Sequence, residues 1–156
     1  MTFFCVNCFG ELSGEGGRCP RCGATQNLDG RDYVAKLRNA LAHPIAETRR
    51  RAIYLLGEKR MEEAVGQLIE IVDQENDPFV VEEAVAALGK IRGAMAMEAL
   101  LRAARHKSFL VRARAIHSLV EAGGDWARAA KRIARSDSSA LVRDAVQTKS
   151  MKDRQA

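Results

Sequence analysis

A unit of 31–32 residues recurs along this chain, and that period limits its fold more than any other feature. Arg51-Ala52-Ile53-Tyr54-Leu55-Leu56-Gly57 returns as Glu83-Ala84-Val85-Ala86-Ala87-Leu88-Gly89, and again as Arg114-Ala115-Ile116-His117-Ser118-Leu119-Val120. Phe79-Val80-Val81, Leu110-Val111-Arg112 and Leu141-Val142-Arg143 stand 31 residues apart. Each is preceded by a polar corner: Asn76-Asp77-Pro78, Lys107-Ser108-Phe109 and Asp137-Ser138-Ser139. Ala64 and Leu68 are matched by Ala96 and Leu100 in the second half of the unit. One such unit cannot bury its own apolar face, but a stack of them can.

Each unit reads as two helices. The spacing predicts first helices near 45–58, 78–91, 109–122 and 139–149, and second helices near 61–73, 94–106 and 125–136. Over 78–91 the residues Val80, Val81, Ala84, Val85, Leu88 and Ile91 form a wide apolar stripe. Pro44 and Pro78 sit at helix starts, where a missing N–H costs little. A helix at about 31–42, with Tyr33, Val34, Leu37 and Leu41, resembles an unpaired second helix closing one end, as the short helix at 139–149 closes the other. Aromatic residues make up only 5% of the chain, which suits close-packed helices rather than a sheet. The expected fold is therefore mostly α: a short α-solenoid of helix pairs over 29–150, a small cysteine-bearing module over 1–28, and a disordered tail over 151–156.

Over about residues 43–149 these corners and alanine-rich helices resemble the HEAT-repeat family, in the short bacterial type known from phycobilin lyase subunits. That pattern places an Asp-rich corner before a Val-Arg pair, then a helix ending in Leu-Gly. The chain departs from it at Val81, at Thr48-Arg49 and at Val120. The recurring arginine is expected to bridge repeats by hydrogen-bonding neighbouring corners, for example Arg112 with an acidic loop residue.

All four cysteines lie within residues 5–22, as Cys5-Val-Asn-Cys8 and Cys19-Pro-Arg-Cys22. A C-x-x-C turn presents two sulfurs on one side of a tight loop, and two such turns complete a tetrahedral shell for zinc. Iron can occupy such a site, but zinc is the expected ion. Gly10 and Gly23 follow the knuckles where the chain turns, and Arg18 and Arg21 sit where they can offset the charge of four thiolates. Cys19-Pro20-Arg21-Cys22-Gly23 is similar to the second knuckle of the zinc-ribbon family. That resemblance covers about residues 3–28 and implies small antiparallel hairpins around the metal, with Phe3, Phe4 and Phe9 as a minimal apolar cluster. Four cysteine ligands leave no position for water or substrate, so the expected role of the zinc is structural.

No Gly-rich phosphate loop, G-x-S-x-G or H-E-x-x-H occurs, and no His-Glu dipeptide of the kind found in HEAT-repeat metal hydroxylases. His43, His106 and His117 read as structural or solvent-facing. Trp126, with Ala129, Ala130 and Ile133, reads as a packing face, while Arg128, Lys131, Arg132 and Arg135 form a cationic face on the same helix with no acid counted among them. Together with Arg102 and Arg105 they form a candidate partner-binding surface.

The charge is segregated: residues 62–92 carry 8 acidic and 2 basic side chains, and residues 93–135 carry 9 basic and 3 acidic. The function expected is a non-enzymatic scaffold binding a protein partner through the solenoid surface. Nucleic-acid association through the ribbon and the basic face is the alternative, and lyase-like chemistry stands third. Residues 1–17 lack a basic start followed by an apolar run, and no stretch of the chain suffices to cross a bilayer, so a cytoplasmic location is expected and no membrane contact. The sequence names neither the partner nor the oligomeric state.

Overall fold

The structure is a computed structural model of the chain and describes residues 3–5, 7–14, 17–25 and 33–147. Two short strands, β1 (Phe3–Phe4) and β2 (Glu11–Leu12), pair antiparallel, with Phe3 opposite Leu12 and Phe4 opposite Glu11. Among the described residues eight helices follow: α1 (Tyr33–Ala40), α2 (Ala46–Glu58), α3 (Val65–Gln74), α4 (Pro78–Ile91), α5 (Ala94–Ala103), α6 (Phe109–Ala122), α7 (Gly124–Arg135) and α8 (Ala140–Asp144). A single 3-10 turn, Glu62–Ala64, leads into α3.

The helices form two layers. The first helices of each unit, α2, α4, α6 and α8, pack on one another in chain order. The second helices form the other layer, with α3 packed on α5; α3 and α5 each sit against the first helix that follows, while α7 sits mainly against α6 before it. The opening helix α1 packs on α2 as α3 packs on α4, so it occupies the expected place of an unpaired second helix. A contiguous core runs the length of the stack, from Leu37 and Leu41 through Ile53, Leu56, Leu68, Val85, Leu88, Leu100, Ile116 and Leu119 to Val142.

Alanine and glycine set the layer spacing. A Cβ placed on Gly57 would lie 2.8 Å from the Cα of Ala87. One repeat on, a Cβ on Gly89 would lie 2.5 Å from the Ser118 Oγ. Glycine at these two positions lets α2 meet α4, and α4 meet α6, at backbone distance. The third unit has Val120 at this position, and α8 ends at Asp144, before the residue that would approach it.

Helix boundaries differ from the sequence reading in several places, the first being the helix expected over 61–73, which begins at Val65 because Glu62–Ala64 winds as a 3-10 turn. The last helix, expected over 139–149, is a five-residue helix followed by a turn at 145–146. Its sequence carries the corner and the buried Val142 anchor. Helix α5 stops at Ala103 instead of 106, because residues 104–105 tighten into a turn that brings His106 to the corner. Helix α1 is described from Tyr33 to Ala40, inside the expected 31–42. The expected tail 151–156 and the connection 26–32 lie outside the described residues.

Candidate metal centre and basic face

Each C-x-x-C unit closes a small hairpin. The first sits between β1 and β2, with the Cys5 N–H donating to the Gly10 carbonyl at 2.9 Å and the Phe9 N–H to the Cys5 carbonyl at 3.0 Å. The second repeats this: the Cys19 N–H donates to Ala24 O at 2.8 Å, the Gly23 N–H to Cys19 O at 2.9 Å, and Arg18 bridges Thr25. The residue that follows each knuckle takes a left-handed backbone, Gly23 with φ 74° and Phe9 with φ 53°. Phe9, rather than the expected Gly10, therefore makes the first turn. Gly10 serves a different need, since a Cβ there would stand 3.2 Å from the Arg21 Cδ and 3.5 Å from the Cys8 Sγ.

The two knuckles bring all four sulfurs within 4.8 Å of one another. Cys5 Sγ lies 3.6 Å from Cys22 Sγ, and Cys8 Sγ lies 3.8 Å from Cys19 Sγ. A tetrahedron of thiolates around an ion at about 2.3 Å has edges of about 3.8 Å, so the cage fits a tetrahedral metal ion. The Asn7 N–H points at Cys5 Sγ at 3.4 Å, and the Asn7 side-chain amide lies 3.7 Å from Cys22 Sγ. The Ala24 N–H, then Asn7, hold the Cys22 thiol below its ordinary value, against desolvation. For Cys8 the Gly10 N–H acts in the same direction, but desolvation and the crowding of Cys22, Cys5 and Cys19 prevail and push the thiol up to about 11. A metal ion would displace that proton.

Phe9 links this module to the helices. Its ring stands edge-on to the His43 imidazole with centroids 4.9 Å apart. It was expected to cluster with Phe3 and Phe4, whose side chains lie outside the described residues; what the structure shows is its contact with the first corner.

The corners reveal a device that the sequence only hinted at. Arg49 Nη1 donates to the carbonyls of His43 and Pro44 at 2.9 and 3.1 Å, while its Nη2 reaches Glu75 at 2.9 Å. Arg112 repeats this with His106 O and Lys107 O, and grips both Asp137 oxygens at 2.7 and 2.9 Å. Arg143 binds Asp137 O and Ser138 O in the same way. The expected bridge from Arg112 to an acidic corner is thus present. It keeps Asp137 ionised well below the usual carboxylate range, first through the Arg112 guanidinium and then through the Ser139 N–H.

Residues 43, 75, 106 and 137 each accept a backbone N–H two residues on. His43 and His106 do so with Nδ1 at 3.1 and 3.0 Å, Glu75 and Asp137 with a carboxylate oxygen at 3.0 and 2.9 Å. His43 and His106 are therefore structural. Where Val81 replaces the arginine, the next corner carries His106 in place of an acid.

The six basic residues named from sequence do not form one uniform face. Arg128 is paired with Asp125 three residues earlier, and Arg102 with Asp73 of α3 at 3.4 Å. No acid stands among the four cations of α7, but Asp125 in its first turn neutralises Arg128. Arg105 and Arg132 come together around a cleft between α5 and α7. Lys131 and Arg135 are exposed on α7. Trp126 is half-buried and packs against the core, as expected.

Among the described residues no helix is long and apolar enough to cross a membrane. In comparison with known families, the model for HEAT repeats matches residues 34–120, over half of the chain and outside the cysteine module. No curated protein matches the sequence.

Proposed function

The chain belongs to the HEAT-repeat family, and from that premise we propose that it is a non-catalytic, cytoplasmic scaffold that binds a protein partner along its solenoid, with structural zinc in a ribbon-like module. The supporting observation is a row of exposed apolar side chains. Phe79 is 54% exposed, Phe109 48% and Leu141 50%, and each lies in the first two residues of its own helix, α4, α6 or α8. One stands at each of three successive first-helix starts, Phe109 one position before Leu110, which is in register with Phe79 and Leu141, and exposed apolar side chains recurring from repeat to repeat suit a protein surface better than a phosphate backbone. The four-thiolate cage supports a structural metal because a filled shell leaves no place for a substrate. Capture experiments with the intact chain test the reading. Phe79→Ser, Phe109→Ser and Leu141→Ser together should abolish a capture that the wild-type chain supports; retention of every captured protein would refute it.

Nucleic-acid association is the second reading, carried by the exposed Lys131, Arg132 and Arg135 of α7. It predicts affinity for duplex or single strand that falls linearly with the logarithm of salt concentration. Absence of such binding removes it.

A further inference from the structure

Two clefts on the second-helix layer are the same place in the repeat, two units apart, yet they carry opposite charge. The first, about 310 Å³, opens between the end of α1 and α3. The second, about 390 Å³, opens between the end of α5 and α7. Their positions correspond at intervals of 62 or 63 residues. Both have an arginine–carboxylate pair at the corner, Arg49 with Glu75 at one and Arg112 with Asp137 at the other. Both carry isoleucine on the wall, Ile71 and Ile133. Only the rims differ. Where the first has Ala42, Glu70 and Gln74, the second has Arg105, Arg132 and Ser136.

We propose that the α5–α7 cleft receives an acidic peptide segment of a partner protein, with Arg105 and Arg132 holding its carboxylates. The proposal rests on the scaffold reading above and gives its partner a chemistry. At the corner of this cleft, charge is already balanced: Arg112 holds both oxygens of Asp137, so the two rim guanidiniums are left to act outward. Each offers a planar fork that matches a carboxylate in two parallel hydrogen bonds. Ala104 and Ile133 supply an apolar wall for the methylene stem of an incoming Asp or Glu. A nucleic-acid strand fits less well. No aromatic side chain lines the cleft for base stacking, and a phosphate track continuing along the layer would meet α3, where Glu70 and Asp73 are exposed.

The test uses the full chain and three labelled probes followed by fluorescence anisotropy: a short peptide alternating Glu and Ala, its Gln counterpart, and a single-stranded oligonucleotide. The Glu peptide should bind, the Gln peptide should not, and Arg105→Ser with Arg132→Ser should weaken the complex by about tenfold or more. Both arginines are exposed, so circular dichroism of the double variant should be that of the wild type. Grafting the rim onto the first cleft with Ala42→Arg and Glu70→Arg should create a second site for the Glu peptide. Equal binding of both peptides, or no binding of the Glu peptide, would overturn the proposal. So would tighter binding of the oligonucleotide lost in the same double variant, which would assign the cleft to nucleic acid. Sedimentation showing self-association that the double variant abolishes would assign it to the acidic α3 face of a second copy. Capture that depends on Phe79, Phe109 and Leu141 but ignores Arg105 and Arg132 would remove this inference and leave the scaffold reading standing.

Discussion

In the cysteine module the buried apolar side chains among the described residues are Cys5 and Cys19, whereas the stack buries a continuous series from Leu37 to Val142. One region has almost no hydrophobic driving force and closes around four sulfurs; the other is held by shared apolar surface, renewed at every repeat. Damage to the first should therefore stay local and be nearly complete. Damage to the second should be graded by how closely the altered side chain sits to its neighbour. The largest effect expected is loss of the proposed zinc. Structural zinc contributes on the order of 10–16 kcal/mol in small modules, far more than residues 1–28 can gain from packing. Cys19→Ser, or a chelator, should abolish the dispersion of module amide signals in NMR while leaving the far-ultraviolet helical signal intact. Metal analysis of the wild type should find one zinc per chain. If the helical signal collapsed as well, the contact of Phe9 on His43 would be carrying the first repeat, and the two regions would be one folding unit.

Inside the stack, two glycine substitutions sharpen the contrast because chemistry is held constant. Gly57→Ala drives a methyl group into the Ala87 backbone, so the two helices must separate; a cost of about 3 kcal/mol is expected from overpacking. Gly66, in α3, has open space where its Cβ would be, and Gly66→Ala should instead stabilise by about 0.5–1 kcal/mol through helix propensity. Urea denaturation reads both. A destabilised Gly66→Ala, or an unaffected Gly57→Ala, would show that layer spacing is not what the glycines control.

The corners come next in size. Arg112 and Asp137 are largely buried, and Arg112 also serves two carbonyls, so Arg112→Ala should cost about 2 kcal/mol. Arg114 makes a comparable 2.9 Å bond to Glu82 of the previous repeat, but on the exposed surface. Its removal should cost about 0.5 kcal/mol or less. In a double-mutant cycle Arg112 and Asp137 should couple strongly and Arg114 and Glu82 weakly. Equal coupling would mean that the corner clamp is no more than a surface ion pair.

The helical architecture was legible because a 31-residue period fixes both the number of helices and which faces meet. The cysteine cage was legible because C-x-x-C spacing leaves little freedom. What sequence did not disclose depends on where groups point. The arginine hinted at a bridge, but its grip on its own corner carbonyls needs backbone direction that no spacing carries. The capping role of His43 and His106 had a readable signal, since both fall in register with Glu75 and Asp137; viewing them as isolated histidines concealed it. The basic face was overcounted because Asp125 belongs to the same helix surface as Arg128. The opposite charge of the two equivalent clefts was also present in the letters, at Glu70 and Arg132, but only the structure shows that those positions line the same opening.

An effect of about the size of one hydrogen bond separates the histidine corners from the carboxylate corners. Burial, then the positive charge of Lys107, lowers the His106 pKa, and burial likewise lowers that of His43. Folding thus favours the neutral ring, which accepts the N–H of Ser108 through Nδ1. The stability so gained is complete above the ordinary value of 6.5 and is lost as pH falls through the lower folded value. Asp137, also depressed, keeps its contribution above 3.8 and loses it only as pH falls further. Between these ranges the histidine corners should loosen while the corner at Asp137 holds. His106→Asp places at this corner the acceptor that Asp137 supplies one repeat later, and it should remove part of the mild-acid loss, about 1 kcal/mol for one backbone hydrogen bond. Thermal melts followed from above pH 6.5 down to pH 3.8 measure it. A variant whose melting temperature falls as steeply as that of the wild type would show that the histidine at this corner is not what responds to acid.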